Sequence, residues 1–174
     1  MSSQNNGGQW LLIAAIGLGL FWAKNGGIPM SARLSLESAR NFGRPVAISR
    51  PIIDGLIDEA ADREGIPRHM LHALVHVESR KNPRAVSHVG ARGLGQVMPF
   101  NTKRCGLRKP DELWDPIKNL RCSAQILREE LDTYNGNEVK ALQSYNGGPK
   151  CIGRCKESIQ YSKNVLAEAG RLRG

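Results

Sequence analysis

The residues most able to do chemistry lie where an apolar segment meets a glycine-rich one. Glu78 ends a segment whose apolar spacing predicts one face of a helix, formed by Met70, Leu71, Leu74, Val75 and Val77. A carboxyl group partly removed from water there has a raised pKa, as a general acid working near neutral pH requires. The ordinary alternative is a solvated glutamate, although its charge is unfavourable beside the negative end of a helix. Glu78 is therefore the candidate acid.

The stretch GARGLGQVMP, residues 90–99, places unusual backbone freedom beside that carboxyl group. Its three glycines allow positive φ and let a polymer approach main-chain N–H and C=O groups closely. Gln96 offers donors and an acceptor for the hydroxyl and N-acetyl groups of a sugar, and Met98 offers an apolar surface for a sugar ring. By composition alone this is an ordinary glycine-rich loop, but its position after Glu78 favours a binding role.

The histidines do not predict a metal centre. His72 and His76 have the spacing of a zinc pair, but Ala73 stands where a metalloprotease needs a glutamate. Core or surface histidines are the favoured interpretation, and no metal or cofactor is expected.

The four cysteines predict disulfides, with a zinc site as the rival. They lack the two-residue spacing common among structural zinc ligands. We expect the pairs Cys105–Cys122 and Cys151–Cys155, because each closes a short loop. Disulfides would imply an oxidising compartment.

The chain is basic, with a net charge of +9 spread along its length. Such a surface suits a polyanion, whether nucleic acid, anionic lipid or an acidic cell-wall polymer, although charge for solubility is an equal alternative. No basic helix with interleaved aromatic residues is present, so we expect no specific nucleic-acid partner.

The first fifty residues differ from the rest in composition. A polar terminus (1–9) precedes the unbroken apolar run WLLIAAIGLGLFWA (10–23), and a linker without periodicity (24–50) follows. As a helix the run spans about 21 Å, less than the ~30 Å hydrocarbon core. The run lacks the basic start and small-residue cleavage site of a signal peptide, and its terminal tryptophans suit two interfaces. We favour a short uncleaved membrane anchor, with a signal peptide or a soluble helix as alternatives.

The rest of the chain, residues 51–174, is expected to form one mostly α-helical domain. Apolar periodicity predicts helices over 51–64, 67–79 and 115–134, and shorter ones over 138–144 and 157–170. Gly65 is expected to stop the first helix and Asp115 to cap the third. A core face is predicted on the third helix from the spacing of Ile117, Leu120, Ala124, Leu127 and Leu131.

Four motifs in this domain resemble, in order, those of the lytic transglycosylase catalytic domain. They are ES at 78–79, NPRAVSHVGARGLGQVMP at 82–99, SYNGG at 144–148 and ESIQYSKNV at 157–165. The resemblance covers about Pro51–Ala167. It implies a mostly α, goose-type lysozyme-like single domain that binds peptidoglycan strands and cleaves the β-1,4 bond between N-acetylmuramic acid and N-acetylglucosamine.

The resemblance also implies a role for individual residues. Glu78 matches the family's single catalytic acid and base. The substrate-binding positions are matched by Ser87, Gln96, Met98, Tyr145, Asn146 and Tyr161. Gly95 stands where the family usually has methionine, and Ser144 where it usually has alanine. We expect altered packing of the cleft and retained activity.

The implied product is a 1,6-anhydro sugar, formed without a second carboxylate, and the motifs are expected to supply none. A muramidase of the same fold is the alternative if Asp111, Glu112 or Asp115 faces Glu78 across the cleft. A non-catalytic glycan-binding virion protein is the third interpretation. The expected setting is the cell envelope or periplasm, or a virion, with the membrane contacted through residues 10–23 and virion or envelope-complex proteins as partners.

Overall fold

A computed structural model describes residues 50–173, which form a bundle of five α-helices joined by loops and short 3₁₀ turns. The helices are α1 (Arg50–Glu64), α2 (Arg68–Ser79), α3 (Pro116–Thr133), α4 (Glu138–Gly147) and α5 (Lys156–Arg173). The 3₁₀ turns are Pro99–Asn101, Pro110–Trp114 and Pro149–Cys151. The β structure of this part of the chain consists of isolated bridges that pair Arg92 with Val86 and Val97. The prediction of a mostly α-helical domain is confirmed.

The expected polar terminus (1–9), the expected apolar helix (10–23) and all but the last residue of the expected linker (24–50) lie outside the described residues. Within residues 50–173, no helix combines the length and the apolar character needed to cross a bilayer.

Local sequence signals fix the ends of the helices. After α1, Gly65 adopts φ +63°, and the Ile66 N–H donates to the Ala61 carbonyl at 2.9 Å, which satisfies an otherwise unpaired helix-end acceptor. Before α3, the Asp115 carboxylate accepts hydrogen bonds from the N–H groups of Ile117 and Lys118. The predicted stop and the predicted cap are both present.

Helix α2 lies at the centre of the main core. Its residues Leu71, Ala73, Leu74 and Val75 are fully buried, and the helix packs between α1 and α5. Because apolar side chains hold α2 on several faces, its last turn has a fixed position. Glu78 lies in that last turn.

The predicted core face of α3 is correct except at its first position. Leu120, Ala124, Leu127 and Leu131 are buried, whereas 42% of Ile117 is exposed. The periodicity places Ile117 on the right face, but it lies in the first turn of the helix, at the edge of the core.

A smaller core cluster supports the side of the domain that carries the glycine-rich loop. It consists of Val97, Leu113, Cys122 and Ile126. The Cys105–Cys122 disulfide joins the segment between the turns Pro99–Asn101 and Pro110–Trp114 to α3, and the Cys151–Cys155 disulfide closes the connection between α4 and α5. The predicted pairing is therefore confirmed.

Asn119 of α3 holds the glycine-rich loop in place. Its side chain is completely buried, and Oδ1 accepts a hydrogen bond from the Gly95 N–H at 2.9 Å. Its Nδ2 donates to the carbonyls of Arg92 (2.8 Å) and Leu113 (2.9 Å). Gly93 lies against this side chain with φ +74°, and an added Cβ would be 2.8 Å from Asn119 Cγ. The loop therefore needs glycine where it crosses the asparagine.

Replacing Asn119 by alanine should lower the free energy of unfolding by about 3 kcal/mol, because two buried backbone groups and one partly buried carbonyl would lose their partner. Urea denaturation of the full chain measures this change. The control Asn164→Ala alters an exposed asparagine on α5 and should cost less than about 0.5 kcal/mol. Equal losses in both variants would contradict the anchoring role of Asn119.

Candidate active site

A cleft of about 230 Å³ lies where the end of α2 meets the glycine-rich loop and the end of α4. Six of the seven sequence-predicted site residues line it: Glu78, Ser87, Gln96, Met98, Tyr145 and Asn146. The other lining residues are His88, Val89, Ala91, Val97, Asn101, Ile126 and Glu157. Residues from four separate motifs of the sequence thus meet at one cleft.

Glu78 lines this cleft and is partly withdrawn from water. Burial raises the pKa of Glu78 to about 7, because the low-dielectric surroundings disfavour the charged form. The Tyr161 hydroxyl donates a hydrogen bond to Glu78 Oε1 at 2.7 Å and opposes part of this rise. Near neutral pH, the carboxyl group can therefore either donate or accept a proton.

Two tyrosines from different helices surround Glu78 and do different things. Tyr161 of α5 is only 7% exposed, and its hydroxyl contacts the Glu78 carboxyl group instead of lining the cleft. Tyr145 of α4 lines the cleft with its side chain and donates its hydroxyl hydrogen to the Gly95 carbonyl at 2.8 Å. Burial, and then the charge of Glu78, raise the pKa of both tyrosines, so both remain hydrogen-bond donors.

Three polar side chains of the cleft are each held by an internal hydrogen bond that leaves another polar atom unused. Ser87 Oγ accepts from the Ala91 N–H, and its own hydroxyl hydrogen has no acceptor among the described residues. Both hydrogen bonds of the Gln96 amide nitrogen go to loop carbonyls, which leaves Oε1 as an acceptor. These side chains are fixed before any ligand arrives.

Asn146, on α4, completes this set. Its Oδ1 accepts a hydrogen bond from Ser158 Oγ at 2.8 Å, and its Nδ2 makes no hydrogen bond within the described part of the chain. The cleft therefore offers donors at Ser87 and Asn146 and an acceptor at Gln96. The sequence-based interpretation of Gln96 as both donor and acceptor is thereby narrowed to the acceptor.

Ser79 is a positioning residue that is not among the sequence-predicted site residues. Its hydroxyl donates to the Leu94 carbonyl at 2.7 Å and so ties the last turn of α2 to the glycine-rich loop. Because Ser79 follows Glu78 directly, this bond sets the distance between the acid and the loop. The adjacent Glu-Ser pair was the available signal.

Ser123 of α3 gives the physical reason for glycine at position 95. An added Cβ at Gly95 would collide with Ser123 Oγ and lie 2.6 Å from Ser123 Cβ. A serine thus occupies the space that a side chain at 95 would need. At the other unusual position, the buried Ser144 hydroxyl lies 3.5 Å from the Tyr134 hydroxyl, which can donate to it.

Asn119 and Ser123 stand one turn apart beside the apolar stripe of α3. Small polar residues at i and i+4 next to an apolar face were the only signal in the sequence for this loop-holding role. Small polar residues with this spacing also occur on half-exposed helix surfaces where they hold no loop, so the pattern could not identify the partners of Asn119 and Ser123.

The three acidic residues considered as partners of Glu78 do not line the cleft. Asp111 pairs with Arg92 at 3.1 Å, Glu112 pairs with Lys118, and Asp115 caps α3. The expectation that the motifs supply no second carboxylate is wrong, because it overlooked the glutamate that begins the fourth motif. Glu157, the first residue of the fourth motif, is exposed and lines the cleft.

The histidines of α2 are engaged in other contacts or exposed. His72 Nε2 lies 3.0 Å from Asp58 Oδ1, and His76 is exposed. Across residues 50–173, no three His, Cys, Asp or Glu side chains are placed to hold a metal ion.

Comparison with known proteins identifies relatives of the domain that carries the cleft. The model of the transglycosylase SLT domain family matches residues 55–166. A transglycosylase of Enterobacteria phage PRD1 is 38% identical over 118 residues, which cover 68% of this chain and 43% of that protein. The peptidoglycan transglycosylase gp16 of Escherichia phage T7 is 32% identical over 125 residues, which cover 68% of this chain and 9% of that protein.

A solved structure shares the fold. An inactive mutant of the lytic transglycosylase Slt from Pseudomonas aeruginosa superposes with a TM-score of 0.63 at 26% identity, covering 68% of this chain and 24% of that one. The chain spans less than half the length of each of these relatives.

The hydrogen bond from Tyr161 should hold the pKa of Glu78 below the value that burial alone would give. In a Tyr161→Phe variant we expect the pKa of Glu78 to rise above about 7, because the ionised carboxylate loses a donor. The pKa can be followed by NMR of ¹³C-labelled glutamate carboxyl groups, with the Glu78 signal assigned by its loss in Glu78→Gln.

The matched control is Tyr134→Phe, which removes a partly buried hydroxyl that contacts Ser144 and not Glu78. It should leave the pKa of Glu78 unchanged. An unchanged or lowered pKa in Tyr161→Phe would show that this hydrogen bond does not stabilise the carboxylate.

Proposed function

The chain belongs to the transglycosylase SLT domain family, and we propose that it is a lytic transglycosylase of peptidoglycan. The bond cleaved is the β-1,4 link between N-acetylmuramic acid and N-acetylglucosamine. The observation that carries this proposal is the Glu78 carboxyl group, with its pKa raised by burial to about 7 inside a cleft. A glycosidic oxygen needs an acid that still holds its proton near neutral pH.

Glu78 acts first as the acid. The protonated carboxyl group donates its proton to the glycosidic oxygen while the bond from that oxygen to C1 of N-acetylmuramic acid breaks. The electron pair of the broken bond stays on the leaving sugar, and positive charge develops at C1. The carbonyl oxygen of the substrate's own N-acetyl group stabilises this charge, so the step needs no second carboxylate from the protein.

Glu78 then acts as the base. Its carboxylate, which accepts the hydrogen bond from Tyr161, removes the proton from the C6 hydroxyl as that oxygen bonds to C1. The product is a 1,6-anhydro ring, and no water is consumed. Glu78 regains its proton and is ready for another cycle. Tyr161 is a positioning residue in this scheme, because it touches Glu78 and not the substrate.

The fixed polar atoms of the cleft suit a chain of N-acetylated sugars. The Ser87 hydroxyl and the Asn146 amide nitrogen can donate to acetyl carbonyls or hydroxyl oxygens, and Gln96 Oε1 can accept from an acetamide N–H. Met98, partly buried in the cleft wall, supplies apolar contact for a sugar ring. Preorganised contacts of this kind align a polymer with the acid at little entropic cost.

A hydrolytic muramidase is the second candidate, and Glu157 is the observation that favours it. This exposed carboxylate lines the same cleft as Glu78 and could serve as a base for an attacking water. The two candidates differ in their products, since water is added by the muramidase and not by the transglycosylase.

Digestion of purified peptidoglycan should yield 1,6-anhydro muropeptides, each one water lighter than the muramidase products. Mass spectrometry of the digest distinguishes the two. Glu78→Gln should reduce the rate by at least about 10³-fold, because an amide cannot donate the proton. Glu157→Gln should leave the anhydro product unchanged.

Reducing-end products that disappear in Glu157→Gln would establish the muramidase instead. If the folded wild-type chain binds peptidoglycan and releases nothing, the non-catalytic glycan-binding interpretation holds.

The setting we propose is a tethered enzyme that opens the cell wall locally, in a phage particle. Two relatives with 32% and 38% identity are phage proteins. The apolar run 10–23, with tryptophan near each end, has the composition of a membrane tether. An envelope complex of a bacterium is the alternative setting.

If the run is a tether, alkaline carbonate should not extract the full chain from membranes. Ile16→Glu should make the chain extractable, because a charge in the apolar run opposes insertion. Ser35→Glu, outside the run, is the control. Mature protein that begins just after the run would identify a signal peptide and contradict the tether.

A further inference from the structure

The connection between α4 and α5 is flanked on both sides by residues that line the cleft. We call residues 147–157 the basic loop; they comprise this connection, the last residue of α4 and the first two residues of α5. Asn146, directly before it, and Glu157, its last residue, both line the cleft. The hydrogen bond from Ser158 Oγ to Asn146 Oδ1, at 2.8 Å, joins the two ends of the loop. The side chains of the loop are therefore held beside the cleft.

Several contacts fix the loop against the domain. The Cys151–Cys155 disulfide closes it, and the Gly153 N–H donates to Oε1 of the buried Gln143 at 2.8 Å. Gln143 in turn donates to Ser162 Oγ of α5 at 3.2 Å. An added Cβ at Gly147 would lie 2.8 Å from Cys151 Cβ, so the disulfide packs against the residue that follows the cleft-lining Asn146.

The loop carries positive charge that the described protein does not neutralise. Lys150, Arg154 and Lys156 are all exposed, and none of them forms an ion pair with another residue in 50–173. Some basic residues elsewhere are paired, as Arg68 is with Asp62 at 2.6 Å. Others, such as the exposed Lys140 and Lys163, form no ion pair within residues 50–173, so the position beside the cleft is what distinguishes the charge of the loop. Glu157 is the single acidic residue of the loop.

The charge of the loop does not match the sugars of the cleft. The alternating N-acetylated sugars of a glycan strand have no charge once each lactyl group is amide-linked to a stem peptide. The stem peptides, in contrast, carry free carboxylates and project sideways from the strand. A fixed basic surface beside a cleft for neutral sugars therefore complements the peptides and not the glycan.

We propose that the basic loop binds the stem-peptide carboxylates of the strand held in the cleft, which makes peptide-bearing peptidoglycan the preferred substrate over peptide-free glycan. This inference rests on the proposed function, since it requires a glycan strand in the cleft. The individual contacts are exposed and therefore weak, so the effect depends on three of them acting together.

The test compares binding to intact sacculi and to sacculi whose stem peptides have been removed by an amidase. The loop variant is Lys150→Gln/Arg154→Gln/Lys156→Gln. The control variant, Arg63→Gln/Lys140→Gln/Lys163→Gln, removes the same charge from exposed positions outside the cleft. All proteins are full-length and carry Glu78→Gln, so that binding is measured without cleavage. Equal urea midpoints establish that the variants are folded.

We expect the loop variant to bind intact sacculi about 5- to 10-fold more weakly than its parent at low salt, with the difference lost at high salt. Binding to peptide-free sacculi should not change, and the control variant should bind both substrates as its parent does. In the active background, the loop variant should lose the same factor in kcat/KM on peptide-bearing strands only.

Three results would overturn the proposal. They are equal weakening on both kinds of sacculi, no weakening on either, and the same weakening in the control variant. If the loop variant lost as much affinity for dextran sulfate as for intact sacculi, the loop would be a general polyanion-binding surface. That result would also overturn the proposal.

The proposed function fails separately. A wild-type chain that cleaves no peptidoglycan, while the loop variant still loses affinity for intact sacculi alone, would refute the activity and support the peptide contact.

Discussion

Withdrawal of one carboxyl group from water is the constraint around which the domain is arranged. Glu78 lies in the last turn of a helix that is buried by apolar side chains, and burial raises the pKa of its carboxyl group to about 7. A buried carboxylate without partners would destabilise the fold, and the hydrogen bond from Tyr161 offsets part of that cost. The acid is thus kept between two opposing influences, which leaves it able to exchange a proton near neutral pH.

The glycine-rich loop is placed against this acid by polar groups in the interior. Asn119 bonds two backbone groups of the loop and the Leu113 carbonyl of the turn before α3. Ser79 ties the loop to α2, and Tyr145 ties it to α4. Glycine at 93 and 95 lets the backbone approach Asn119 and Ser123 closely. The flexible composition of the loop therefore serves close packing, and its position is set by three helices.

Internal hydrogen bonds also orient the polar side chains of the cleft. Ser87, Gln96 and Asn146 each use one part of the side chain for an internal hydrogen bond and leave another part available. Orientation of these groups is thus decided before substrate binds. The disulfide-closed basic loop extends this pattern, because charge beside the cleft is also fixed in position by internal bonds.

The helices, their caps at Gly65 and Asp115, the pairing of the cysteines and the choice of Glu78 as candidate acid all follow from the order of residues alone. These features depend on periodicity, short loops and hydrogen bonds within a few residues, which a sequence displays directly. Ile117 departs from the predicted core because periodicity gives the face of a residue and not its distance from the edge.

Which groups meet in space, in contrast, depends on tertiary packing. Tyr161 and Glu78 are 83 residues apart in the chain, and Asn119 lies 24 residues from the Gly95 amide that it binds. The packing of α2, α3 and α5 brings these atoms together, and no local pattern encodes it. For the same reason Glu157, and not an acidic residue of 111–115, shares the cleft with Glu78.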